Sequence, residues 1–178
     1  MKKIITGCLL LCLLAACKKN VEALPPNTET GANTFGAKVN GEFWIPQGFG
    51  PIPANTILVS TLYPGGDLKI KAQNFSSSPT ETEFELFIKG ITGPGIYLLN
   101  SNVGPPSFIA SYGYFIKRKI TPVDEWVTSV TTAGSVTITK FDAVNRIIAG
   151  TFQFNAASIY TPSQTLVVTE GRFDVKAQ

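Results

Sequence analysis

Histidine is absent from all 178 residues. Its absence removes Ser-His-Asp and Cys-His catalysis, together with the usual zinc and copper ligands. Cysteine is scarce, and Cys8, Cys12 and Cys17 all fall near the amino terminus. The rest of the chain therefore offers no disulfide framework, thiolate metal site or catalytic thiol. Charged residues make up only 15% of the chain, and no stretch of a dozen residues carries a convincing helical stripe. What remains for fold and chemistry is alternating sequence, aromatic rings and carboxylates.

The amino-terminal layout accounts for the position of the cysteines. Lys2 and Lys3 precede an apolar run of 13 residues, Ile4 to Ala16, closed by the small residues Ala15 and Ala16. This is the three-part layout of a secretory signal peptide. A spanning helix needs about 20 apolar residues, so the run is too short to remain as an anchor. An ordinary Ala-x-Ala cut site would place Leu14 and Ala16 in the small-residue slots, a poor fit. Leu14-Ala15-Ala16-Cys17 instead resembles a bacterial lipobox. That resemblance implies recognition of Leu14, Ala15 and Ala16 by the lipoprotein signal peptidase, lipidation of Cys17, and a mature chain beginning at Cys17. Two or three acyl chains, at about 0.8 kcal/mol per buried methylene, would attach such a chain to a bilayer without any spanning segment.

The following residues refine the address. Lys18, Lys19 and Asn20 succeed the cysteine, so the aspartate that resembles an inner-membrane retention signal is missing. The nearest acids, Glu22 and Glu29, are isolated, unlike the acidic cluster of surface-exported Bacteroidota lipoproteins. The expected location is the outer membrane, on its periplasmic leaflet, with the bilayer as the first partner. Removing Lys2 and Lys3 leaves 13 basic against 12 acidic residues, a net charge of +1. So small a balance gives a nucleic-acid partner no electrostatic support.

Residues 18–33, KKNVEALPPNTETGAN, have few large apolar side chains and a Pro-Pro pair, and they read as a flexible tether. The expected organisation is a signal peptide at 1–16, a lipidated cysteine and tether at 17–33, and one domain at 34–178. Within that domain period two dominates. Thr82, Phe84, Leu86 and Ile88 alternate with Glu81, Glu83 and Glu85, while Ile148, Gly150, Phe152, Phe154 and Ala156 share one side of a second segment. Such alternation marks half-buried antiparallel strands. Further strands are expected at 34–39, 42–46, 55–63, 67–74, 95–99, 107–117, 126–132, 135–141 and 164–176. Asn40-Gly41 is a strong hairpin signal, and Pro64-Gly65-Gly66, Gly93-Pro94-Gly95 and Ala133-Gly134 punctuate in the same way. About ten short strands point to an all-β, antiparallel β-sandwich or a closed or flattened barrel, and the varied strand lengths and long connections at 75–80 and 99–106 favour the sandwich.

The opening NTFGAKVNGEFWIP and the closing segments IIAGTFQFNA and VVTEGRFDVK resemble the ends of a family of small, uncharacterised Bacteroidota lipoproteins. In that family a hairpin of pattern Phe-x-Ala/Cys-x-Val-Asn-Gly-x-x-Trp, here Phe35 to Trp44, precedes an all-β domain ending in Gly-Arg-Phe-Asp-Val, here Gly171 to Val175. The resemblance implies fold and location and brings no activity. Gly171 reads as a bulge, with Phe152, Phe154 and Phe173 in the core.

Three sets of residues are candidates for chemistry. Glu81, Glu83 and Glu85 are spaced by two, about 7 Å apart, within the range of glycosidase carboxylate pairs. The same pattern describes a solvated sheet face, which is the favoured reading. Asp124-Glu125 could give oxygens to calcium, but no Asp-x-Asp-x-Asp-Gly loop surrounds it. FIASYGYFIK sets Phe108, Tyr112 and Tyr114 on one face. With Trp126 and Trp44, Tyr112 and Tyr114 are the rings available for a glycan platform, and core packing is the alternative. The sequence thus predicts an envelope lipoprotein with a non-catalytic binding or scaffolding sandwich, facing a glycan or an envelope protein. It predicts no cofactor and no metal, and a carboxylate-dependent glycoside hydrolase ranks last.

Overall fold

The computed structural model describes residues 21–48, 57–76 and 80–178. Leu14, Ala15, Ala16 and Cys17 lie outside the described residues. Eleven strands follow one another: β1 Thr34–Val39, β2 Glu42–Trp44, β3 Leu58–Leu62, β4 Leu68–Asn74, β5 Glu81–Ile88, β6 Gly95–Leu99, β7 Tyr112–Arg118, β8 Pro122–Val127, β9 Gly134–Asp142, β10 Ile147–Ser158 and β11 Thr165–Lys176. All pair antiparallel along the order β2-β1-β11-β10-β8-β7-β5-β4-β3, with β9 and β6 branching from β10.

β10 is the pivot of this curled, sandwich-like sheet. Its first part, Ile147 to Phe154, pairs with β9, while Ala157 and Ser158 pair with β8. One strand therefore belongs to both layers, and its alternate residues face the space between them. The far edge is also held, because Gln178 N donates to Ser60 O at 2.8 Å and Leu62 N donates to Gln178 O at 3.1 Å. Joining β3 to the carboxyl terminus covers an edge that would otherwise offer unpaired backbone groups.

The period-two reading of the sequence gives the core directly. Phe84, Leu86 and Ile88 of β5 and Ile148, Phe152, Phe154 and Ala156 of β10 are buried in one cluster with Phe35, Trp44, Phe115 and Phe173. Phe84 is its centre, with ring centroids 4.7 Å from Trp44, 4.8 Å from Phe115 and 5.5 Å from Phe35. Edge-to-face packing of this kind adds to the apolar burial of each ring.

Turn chemistry also follows the sequence. Asn40 and Gly41 both take positive φ, 50° and 88°, as a two-residue hairpin between β1 and β2 requires. The bulge in β11 falls at Glu170-Gly171. Pairing steps by two residues in β10, Phe152 to Phe154, but by three in β11, Gly171 to Val168, and Glu170 takes the left-handed conformation. A Cβ at Gly171 would lie 2.5 Å from the Phe152 ring, so only glycine fits there.

Two expected strands shift at a boundary by four residues or more. The expected strand at 107–117 begins at Tyr112, and Phe108 lies in the preceding loop, against Tyr63 and Phe87. The strand expected at 126–132 runs instead from Pro122 to Val127, since β8 pairs with β7 through the tight turn at 119–121.

The segment read as a tether is held to the sandwich from Leu24 onward. Asp174 on β11 is buried and accepts the Thr28 hydroxyl at 2.6 Å and the backbone N–H groups of Thr30, Gly31 and Ala32 at 2.9, 2.7 and 3.2 Å. Lys176 N donates to Asn33 Oδ1 at 2.9 Å and Lys140 Nζ to Glu29 O at 2.9 Å. Leu24 and Pro25 cover Gly36, where a Cβ would come within 2.8 Å of Pro25 Cδ. Polar composition suggests a free coil, but Thr, Gly and backbone N–H groups are also what a buried carboxylate needs.

Candidate functional site

Outside the main core, the outer face of β5, β7 and β8 gathers the acids and tyrosines. Strand register sets Glu83 beside Ile116 and Ile116 beside Glu125, with Glu85 beside Tyr114 and Tyr114 beside Val127 in the next row. Phe87, Tyr112, Tyr114 and Ile116 form a second buried cluster, with Val103 and Val127 packed against it.

This packing overturns the solvated-face reading of the β5 glutamates. Glu83 is 5% and Glu85 8% exposed. Neighbouring strands supply the partners that permit burial. Glu83 faces Lys71 Nζ at 3.0 Å and Arg118 Nη2 at 2.9 Å and accepts Gln73 Nε2 at 2.8 Å. Glu81 takes Arg118 Nε at 3.3 Å. Glu85 accepts the Tyr112 hydroxyl at 2.6 Å. Each carboxylate is thus neutralised or hydrogen-bonded within the sheet, as buried charge requires.

Glu125 on β8 has a different setting. It accepts the hydroxyls of Tyr114 and Tyr160, the latter at 2.6 Å. Beside it opens a cleft of about 360 Å³, lined by Val103, Pro105, Tyr114, Glu125, Val127 and Ile159 among others. An apolar wall with a few fixed polar atoms suits a small, partly apolar ligand group. Asp124 faces away from this cleft's chemistry, since its Oδ1 accepts Ser158 Oγ at 2.7 Å and Glu125 N at 2.8 Å. Those bonds fix the start of β8, and among the described residues no group of three or more acids or other ligand side chains could hold a metal ion.

Burial and then hydrogen bonding to a carboxylate push both Tyr112, against Glu85, and Tyr114, against Glu125, well above the usual tyrosine range. A raised folded-state value means stability that is complete below the unfolded tyrosine pKa of about 10 and lost as pH rises beyond it. The expected result of an alkaline titration followed by tyrosine absorbance is that Tyr112 and Tyr114 ionise only as the domain unfolds. Ionisation of both without any change in the circular dichroism would contradict this.

The four rings available for a glycan platform, Tyr112, Tyr114, Trp126 and Trp44, do not come together. Trp44 lies in the main core and donates its indole N–H to Thr82 Oγ1 at 2.8 Å. Trp126 packs on the same core through Phe115, at 5.9 Å between centroids. Tyr112 and Tyr114 are buried on the opposite side of the sheet. Alternation already separates them, because Phe115 and Trp126 share a register row that faces inward while Tyr114 faces outward. Tyr160, scattered in a turn of the sequence, is the ring that is exposed beside the cleft, at 59%.

Sequence reasoning missed three features. Asp174 was overlooked inside a strand taken as core-filling, although its place between Phe173 and Val175 puts it on the outer face. The Glu125 and tyrosine arrangement depends on pairing between β7, β8 and β10, which no local pattern reports. The third is the basic run Lys117-Arg118-Lys119, which is readable directly in the sequence.

Among the described residues no helix is long and apolar enough to cross a membrane. Comparison with curated proteins gives no match. Comparison with solved structures gives none either. A family model does match, over residues 32–175, so that both the β1–β2 hairpin and the Gly171–Val175 strand lie inside it. On that coverage the chain belongs to the family described as Domain of unknown function (DUF6252).

Proposed function

We propose that this chain is an envelope lipoprotein of Bacteroidota type, held on the periplasmic leaflet of the outer membrane by acylated Cys17, whose sandwich binds or scaffolds a partner without catalysis. The anchor rests on the three-part amino terminus and Leu14-Ala15-Ala16-Cys17. The observation that carries the non-catalytic half is the state of the carboxylates. Glu83, Glu85 and Glu125 share one face: both oxygens of Glu83 are engaged by Lys71, Arg118 and Gln73, both of Glu125 by Tyr114 and Tyr160, and Oε1 of Glu85 by Tyr112. A glycosidase pair needs one acid free to protonate and one to attack or activate water.

The cleft beside Tyr114 and Glu125 is the surface this reading assigns to a ligand. The glycan version keeps one supporting observation, the exposed Tyr160 ring whose hydroxyl Glu125 fixes near the cleft. One ring gives a stacking contact but no platform.

Substituting Cys17→Ala in the full chain tests the anchor. The expected outcome is loss of fatty-acid labelling and accumulation of the uncleaved precursor. Labelling that persists in the Cys17→Ala chain would sink the lipoprotein reading.

A further inference from the structure

The β7–β8 turn projects exposed apolar side chains. Ile120 at its tip is 99% exposed, and Val123 beside it is 52% exposed. Lys117 and Lys119 flank the tip and are exposed too. Arg118, between them, is turned to the sheet and held by Glu81 and Glu83. Two apolar side chains projecting from a turn, with two lysines beside them, are a poor arrangement for water. They suit the interface of an anionic bilayer, where the apolar groups enter the acyl boundary and the lysines meet headgroups.

The path of the amino-terminal segment leads to the same end. Gly31 lies against Ile147 and Lys176, whereas Leu24 and Pro25 lie against Gly36, which pairs with Arg172. With decreasing residue number the chain therefore travels from the start of β10 toward its end. The end of β10 adjoins β8, because Ser158 Oγ donates to Asp124 Oδ1 and Ile159 N to Glu125 O. The level of Gly36 and Arg172 is that of Thr151, and from there to Ser158 is about 23 Å along β10. The seven steps from Leu24 back to Cys17 span at most about 25 Å. An acyl group on Cys17 can thus reach the level of Ser158, which pairs with Trp126; the β7–β8 turn begins four residues of β8 farther on, about 13 Å, so a bilayer that meets both the acyl group and the tip lies oblique to β10.

We propose that Ile120 and Val123, flanked by Lys117 and Lys119, form a second point of bilayer contact that seats the sandwich with its β7–β8 end on the lipid surface. The orientation rests on the lipid-anchor reading, while the tip's own affinity for lipid does not. Two contacts restrict the tilt of the domain, and because Asp174 holds residues 28–32 to the sheet, the length of chain between the anchor and the docked segment is short. The opposite end, with the exposed turn around Val144, then faces away from the bilayer.

The test uses the full chain, purified from membranes and reconstituted in phosphatidylethanolamine vesicles with and without phosphatidylglycerol. Ile120→Cys and, at the opposite end, Val144→Cys carry an environment-sensitive fluorophore, and the parent chain labelled in parallel gives the background. Mass spectrometry of the same samples reports whether Cys17 is acylated. The expected result is blue-shifted emission at position 120, quenched by nitroxide lipids, with neither effect at 144. Adding Lys117→Glu and Lys119→Glu should shrink the seated population in phosphatidylglycerol vesicles by roughly fivefold or more per lysine. An acylated Cys17 with position 120 in water would overturn the tip proposal and leave the anchor intact. Lipid quenching at 120 without acylation would support the tip and defeat the anchor. Absence of both would overturn both.

Discussion

Asp174→Asn is expected to lower the stability of the domain by about 3 kcal/mol and to free the chain before Asn33 for proteolysis. The carboxylate accepts one hydroxyl bond and three backbone N–H bonds at 3.2 Å or less, all from residues 28–32. Asparagine keeps one acceptor oxygen and turns an amide N–H₂ toward backbone donors. Charge-assisted bonds contribute about 1.5–3 kcal/mol each in net terms, and donors left unmet in a buried site cost more than the bond itself. The measurement is urea unfolding beside timed digestion. A midpoint unchanged from the parent, with residues 21–33 still protected, would remove the clamp from this account.

The same group sets an acid limit. Burial pushes the Asp174 carboxyl up, but the bonds from Thr28, Thr30, Ala32 and Gly31 outweigh it and hold the carboxyl below the ordinary aspartate range. A lowered folded-state value contributes stability in full above the unfolded pKa of about 3.9 and loses it as pH falls through the folded value. Release of the amino-terminal segment should therefore begin below about pH 4 and be absent in Asp174→Asn, which is already released at neutral pH.

Phe84→Ala carries the second large effect, a loss of about 3–5 kcal/mol. Phe84 is wholly buried, and its ring touches those of Phe35, Trp44, Phe115, Phe152 and Phe154. These come from β1, β2, β7 and β10, so the cavity opens where both layers meet and no single strand can collapse into it. Phe84→Leu should lose less, because it refills most of the volume. Near-equal losses for Phe84→Ala and Phe84→Leu would show that ring geometry, and not volume, governs this core. Thermal unfolding of both chains, compared with Phe43→Ala at a partly exposed ring over Lys38, separates the cases.

The contrast between Phe84 and its neighbours Glu83 and Glu85 shows what alternation conveys. Period two places Phe84 inward without error, because a half-buried strand turns its apolar side to the main core. It also places Glu83 and Glu85 outward, correctly, yet outward is not solvent here. Tyr112, Tyr114 and the loop with Val103 build a second layer on that face, and which strands pair side by side decides whether they can. Tyr114 meets Glu85 across β5–β7 and Val127 across β7–β8, contacts between residues far apart in sequence. Asn40-Gly41 and Gly171 were legible because a positive φ or a close ring demands a particular residue. The Asp174 clamp was not, since its donors are backbone groups that any sequence carries and only the docked path of residues 28–32 aims them at one carboxylate.

The lipid anchor is tested most directly by the intact mass of the protein extracted from its own membranes. The expected result is a chain beginning at Cys17 and heavier than its sequence by two or three acyl chains on that residue. A chain that retains residues 1–16, or one cut elsewhere with an unmodified Cys17, would contradict it.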